Sequence, residues 1–196
     1  MLLSTSTGYL RRKLSYEEIF KYMKQAGFDA YDFSAKEESK TPESPLMQDD
    51  YMDFVRQIKQ KADDIGLICN QAHATFPPEK YGDEEYNRIT FQKIIREMEA
   101  AACLGAKVIV VHAVKPLPKD VDAWTINLRF YRSLLPYCKK FNIKVAVENL
   151  FEYDEKRARL KPCFIGTSAK LAKFVDELGS DWFTVCLDLG HAAINV

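Results

Sequence analysis

Hydrophobic and polar positions along the chain switch repeatedly between two periods, and each switch marks an element boundary. Short apolar-rich runs ("LLSTS", "DAYDFS", "LICNQAH", "KVIVVHA", "IKVAVEN" and "WFTVCLD") alternate with longer stretches whose apolar residues recur every third or fourth position. The short runs predict six strands. The longer stretches predict helices within "LSYEEIFKYMKQAGF" and near 49–65, 83–104, 120–140 and 168–178. The first helix carries its own signals. Ser15 and Glu18 have capping-box spacing, Leu14 and Ile19 stand at staple positions, and Gly27 suits a helix stop, as do Gly66 and Gly105 for the next two helices. Residues 35–47, with Pro42, Pro45 and two serines, read as a loop.

Strands alternating with helices of this length imply parallel strands joined by right-handed crossovers. An open doubly wound sheet and a closed TIM (β/α)8 barrel share that pattern. Neither GxGxxG nor GxxxxGK[ST] follows a strand, and a nucleotide-binding open sheet usually carries one of them, so the barrel is the better expectation. Only six strand and helix units fit before Val196, the last without its helix, whereas a whole barrel takes about 250 residues. The expectation is one domain over residues 1–196: an α/β TIM barrel present as about six units, with strands seven and eight missing.

Lys plus Arg and Asp plus Glu each number 28, so the formal net charge is zero. That balance argues against a nucleic-acid partner that needs a broad basic surface and leaves room only for a local patch. The five cysteines (Cys69, Cys103, Cys138, Cys163, Cys186) are odd in number and widely spaced. They read as reduced core residues rather than a disulfide framework or zinc-binding pairs. No signal-peptide order and no apolar run of about 18 residues is present, so the expectation is a cytoplasmic protein without a membrane partner.

Candidate chemistry collects where the strands end, the face at which parallel α/β folds bind ligands. The strand ends carry Asp32, His73, His112, Glu148 with Asn149, and Asp188 with His191, which includes all three histidines. Alternation puts Ile143, Val145 and Val147 on one face of the fifth strand and Ala146 and Glu148 on the other. In the sixth, Phe183, Val185 and Leu187 oppose Thr184, Cys186 and Asp188. With the bulky faces against helices, both carboxylates project into the barrel mouth and repel unless a cation lies between them. Carboxylate and imidazole donors suit Mn²⁺, Mg²⁺, Co²⁺ or Zn²⁺. A lone acid such as Asp32 more often caps a helix, and a lone His73 or His112 more often packs as a hydrogen-bonded residue. Glu148 is costly to bury without a partner, and the DxxH spacing of Asp188 and His191 can aim both at one point.

These residues resemble a known family, the xylose isomerase-like TIM barrels, and within it the sugar phosphate isomerase/epimerase group. "GFDAYDFS" is similar to that family's second strand, and "VVHA", "VAVENL" and "VCLDLGHA" to its fourth, fifth and sixth strand endings, in order and over essentially the whole chain. The resemblance implies that Glu148 is a metal ligand and an acid/base residue, that Asp188 is a metal ligand, and that His191 contacts substrate oxygens. His73, His112 and Asp32 are then substrate-side residues. It implies proton transfer next to a ketose carbonyl through a cis-enediolate, on a small sugar or sugar phosphate, with a homo-oligomer as a further possibility. The family's remaining ligands, a histidine and a second glutamate, would lie beyond Val196, so a truncated form that binds metal poorly and is inactive is expected. Apurinic endonucleases of the endonuclease IV type use a similar series in a multi-zinc cluster and are the nearest rival. A non-catalytic remnant that pairs through open strand edges is another. "KRARLK" (156–161) reads as a mobile loop, with a lid or phosphate contact as the functional alternative. Tyr9, Phe76 and Trp124 are candidates for stacking on a sugar ring.

Overall fold

The computed structural model of the chain describes residues 2–194. Strand β1 (Ser4–Ser6) leads to a short helix α1 (Gly8–Arg11) and to α2 (Tyr16–Gln25). Helix α2 forms as its sequence dictates. Ser15 Oγ accepts from the Glu18 N–H while the Glu18 carboxylate accepts from the Ser15 N–H at 2.8 Å. Tyr16, Ile19, Phe20 and Met23 then place one face in the core. Gly27 follows in the left-handed region at φ 85°, which a side chain would strain. The next units are β2 (Ala30–Ser34) with α3 (Tyr51–Asp63), β3 (Ile68–His73) with α4 (Glu84–Leu104), and β4 (Val108–Val110) with α5 (Ala123–Phe141). Then come β5 (Lys144–Glu148), a hairpin of β6 (Phe151–Asp154) and β7 (Arg159–Pro162), α6 (Ser168–Leu178), β8 (Phe183–Cys186) and a short α7 (Leu189–Ala193).

The main sheet runs β1-β2-β3-β4-β5-β8, every neighbouring pair parallel. Chain order and spatial order coincide, with no reversal of the kind that defines a doubly wound sheet, so this is six units of a (β/α)8 barrel. One continuous core lies between strands and helices, where Tyr31, Phe33, Ile94, Tyr131 and Phe174 are fully buried.

Four details depart from the sequence expectations. The 156–161 run is not an open loop: its last three residues form most of β7, ladder to β6, and pair Lys161 with Glu152 at 3.0 Å. The sixth unit does carry a helix, α7, begun by Asp188 as its N-cap. Strand β4 stops at Val110, so His112 lies in the segment that follows it. The outward face of β8 is not covered along its length: Phe183 is buried against α6, but Val185 and Leu187 are 42% and 52% exposed. Strand β8 stands at the sheet edge, and α6 reaches only its beginning.

One irregularity positions the site. Pairing of β2 with β3 runs Tyr31 to Cys69 and then Asp32 to Gln71, which skips Asn70. This bulge reverses the alternation of β3, so that Gln71 and His73 share the inward phase of Asp32 and Ser34. In a regular strand His73 would face the helices instead. The register continues from His73 through Val110 and Ala146 to Thr184, and Glu148 pairs with Cys186. Glu148 therefore stands two residues nearer the mouth than Ala146.

Candidate functional site

The sequence-predicted residues converge on the mouth in two groups that share Glu148. Donor atoms of His73, His112 and Glu148 lie within 4.8 Å of one another, and so do those of Glu148, Asp188 and His191. Glu148 is buried. Its Oε1 lies 3.2 Å from His191 Nδ1. Its Oε2 lies 2.6 Å from His112 Nε2 but without hydrogen-bond alignment, and is one of two buried side-chain oxygens among the described residues that accept no hydrogen bond. An unsatisfied buried carboxylate oxygen costs several kcal/mol as an order of magnitude, and a cation at that point removes the cost. The donor set of carboxylates and imidazoles fits a divalent ion.

Asp188 divides its two oxygens. Oδ1 accepts the His191 backbone N–H at 2.8 Å, as the cap of α7, and Oδ2 faces the His191 ring at 3.6 Å. The capping role expected for Asp32 thus belongs to Asp188. Asp32 instead accepts from Gln71 Nε2 at 2.9 Å and holds His73 Nδ1 at 2.7 Å through Oδ2. Burial by itself pulls the His73 imidazole down, but the Asp32 hydrogen bond and charge, with Glu148, outweigh it and hold the pKa above 6.5. His73 Nδ1 donates to Asp32, which leaves Nε2 free to serve as a donor atom in the cluster.

His191 is oriented in the same way. Its Nδ1 lies 2.9 Å from the Asn149 carbonyl, which can only accept, so Nδ1 carries the proton and Nε2 is the nitrogen left without that bond. Asn149, beside Glu148 at the end of β5, has a positioning place that its sequence position alone does not reveal. Its amide donates to the Asp188 carbonyl at 2.8 Å and accepts from the Asp188 N–H at 2.7 Å. Two reciprocal bonds tie the end of β5 to the start of α7 and hold Glu148 and Asp188 in register. The "EN" pair at a strand end marks the position but not the role.

Cys186 confirms the inward face of β8. Burial raises its thiol, and the nearby charges of Glu148, Asp188 and Asp32 carry it up to about 11. Lys115 was not anticipated. Its ammonium donates to the Phe151 carbonyl, lies 5.4 Å from the Phe151 ring centroid, and has its pKa lowered by burial. Phe151 also meets His191 edge-on at 5.0 Å, so the hairpin base closes one side of the site. Among the aromatic candidates, Phe76 packs edge-on to His112 at 5.2 Å and Tyr9 lines the cleft over Asp32 and His73. Trp124 is helix packing: it meets Phe174 and donates to Glu177.

Six parallel strand–helix units with carboxylates and histidines gathered at the C-terminal mouth define an α/β protein of the (β/α)8-barrel class. The chain belongs to the xylose isomerase-like TIM barrel family, whose model matches residues 20–195. Solved structures agree in fold. A 3-keto-D-glucoside 4-epimerase from E. coli is similar at TM-score 0.72 and 20% identity, covering 99% of this chain and 70% of that one. A D-psicose 3-epimerase structure determined in the presence of D-fructose is similar at TM-score 0.74 and 17% identity, covering 99% and 65%. The IolI protein with a binding zinc atom is similar at TM-score 0.70 and 14% identity, covering 98% and 64%. The chain thus spans less than two thirds of the length of the latter two. No curated protein sequence matches it. No helix of the described residues is long and apolar enough to cross a membrane.

Proposed function

We propose that this site belongs to a metal-dependent sugar isomerase or epimerase that moves a proton on a carbon next to a ketose carbonyl. The observation that carries the reading is Glu148 Oε2, a buried carboxylate oxygen without a hydrogen bond at the focus of His112, His191 and Asp188. Glu148 and Asp188 would hold the cation, which when bound polarises the carbonyl and hydroxyl oxygens of an open-chain sugar. Mn²⁺, Mg²⁺, Co²⁺ and Zn²⁺ all suit such donors, and a neighbour's structure carries zinc.

Glu148 takes the proton from the carbon beside the carbonyl, which leaves a cis-enediolate. Returning it at the adjacent carbon isomerises the sugar, and return from a second group on the other face epimerises it. His191 offers Nε2 to a substrate hydroxyl, its ring fixed by the Asn149 carbonyl. His73, held by Asp32, and His112 line the opposite side of the cleft, and Phe76 and Phe151 limit water beside the imidazoles.

Calorimetric titration of Mn²⁺ or Zn²⁺ into the chain tests the reading. Weak binding near one ion per chain, lost in both Glu148→Gln and Asp188→Asn, is the expected result. Binding that survives in both variants overturns it. A second reading rests on the other donor group: His73, His112 and Glu148 form a triad of their own, as a multi-zinc phosphodiesterase would need. Two or more ions per chain, together with cleavage of an abasic duplex, would favour that reading instead.

A further inference from the structure

The mouth has a second region of distinct chemistry. One cleft, of about 270 Å³, carries the donor side chains Asp32, His73 and His112 and is rimmed by Arg12, Lys36 and Glu37. A second, of about 370 Å³, shares that rim and continues outward past Lys40 and Lys93. Arg12 comes from the end of α1, Lys36 and Lys40 from the segment after β2, and Lys93 from α4, so separate parts of the chain bring four cations to one wall. Arg12 is paired with Glu37 at 3.3 Å. Among the described residues Lys36, Lys40 and Lys93 have no carboxylate in ion-pairing range, and Glu37 is the only acid on that wall. In a chain of zero net charge this is a local excess of positive charge.

The floor beneath the lysines is built. Glu97, fully buried one turn beyond Lys93 on α4, accepts the Thr75 N–H at 2.8 Å and hydroxyl bonds from Ser39 and Thr75. Ser39 and Thr75 themselves line the cleft, with buried Thr90 beside them. Ser39 and Thr75 give their hydroxyl protons to Glu97, so the positive character of the cleft comes from the three ammonium groups above, of which Lys93 also feels the Glu97 charge; the cleft is open to the donor cluster at one end.

We propose that Lys36, Lys40 and Lys93 form an anion subsite that takes a phosphomonoester at the far end of a ligand whose sugar oxygens reach the Glu148 cluster. This deepens the functional reading above and rests on it for the second half of the ligand. Ammonium groups bind phosphate as point charges and release it as salt rises. The two clefts together have the size of an ordinary small-molecule site.

The experiment titrates inorganic phosphate, D-fructose 6-phosphate and D-fructose into the metal-loaded chain by calorimetry, at low and high salt. Saturable phosphate binding is expected, weakened about tenfold by each of Lys40→Gln and Lys93→Gln, with the sugar phosphate bound more tightly than the free sugar. A Lys119→Gln/Lys170→Gln variant alters a separate lysine-lined cleft that shares no residue with the donor cleft. It is expected to bind phosphate as the parent does. Phosphate binding that is absent, or equal in all variants, overturns the subsite. An abasic DNA duplex bound more tightly than the sugar phosphate, through the same lysines, also overturns it and makes the wall a nucleic-acid contact. Metal titration of the same variants separates the two readings. Metal bound without phosphate removes the subsite and keeps the proposed function, and phosphate bound without metal does the reverse.

Discussion

At the scale of single residues, burial and hydrogen bonding decide what each acid in this chain does. Glu97 and Glu148 are both buried carboxylates, yet Glu97 is surrounded by aligned donors while one Glu148 oxygen meets the His112 imidazole without an aligned hydrogen bond. Glu97 is consequently a structural anchor whose pKa burial raises above 4.5, although the Ser39 and Thr75 bonds work against the shift. The protonated form is favoured in the fold, so its contribution is greatest below pH 4.5 and is lost as pH rises through the raised value. Thermal unfolding of the parent and of Glu97→Gln between pH 4 and 8, a range of about four units around that window, should show a downward slope present in the parent and absent in the variant. Equal slopes would mean that Glu97 does not titrate with folding. At this scale the sequence was informative for Glu148 and Asp188, because an acid ending an apolar strand is conspicuous. It was misleading for Asp32, since a capping acid and a carboxylate that orients a histidine look alike until the partner is known.

At the scale of elements, the periodic signals translated well where one element satisfied itself. The α2 capping box, the glycine stops and the span of α6 depend on neighbours in sequence, and all appear as expected. Elements that need a partner were harder. The β6 and β7 hairpin escaped because "FEYD" and "RLKP" have charged residues on exposed faces and become strands only through each other. The junction of β5 with α7 is likewise a two-body property. Asn149→Ala removes both bonds to the Asp188 backbone, so Asp188 loses its register with Glu148. Metal affinity should fall by about ten- to a hundredfold, as for other residues that orient ligands, with far-ultraviolet circular dichroism unchanged. Unaltered affinity in the calorimeter would mean that the α7 cap alone positions Asp188.

At the scale of the whole molecule, six parallel strands leave β1 and β8 as edges, and the apolar face of β8 continues into Leu187 and Leu189, 52% and 74% exposed. Exposed edges with apolar side chains promote pairing between chains. Light scattering on the 196-residue chain should therefore give a mass above 22.6 kDa, and Leu187→Lys should shift it toward the monomer. A parent chain that is monomeric at all concentrations would contradict this.

Sequence by itself determined the alternation of strands and helices, the helix boundaries marked by caps and glycines, and the order in which acids and histidines reach the strand ends. Each of these is a local property, fixed by side-chain period or backbone freedom over a few residues. Tertiary structure alone decided which of them meet. The bulge at Asn70 turns His73 inward, and a one-residue change of phase leaves no trace in the hydrophobic pattern because Ala72 and His73 read equally well on either face. The Asn149 bridge, the pairing of Asp32 with His73 and the lysine wall over the neighbouring cleft join residues dozens of positions apart. Such contacts exist only once the sheet has set the register, which is why the chemistry was visible in the sequence as a set of residues and in the structure as a site.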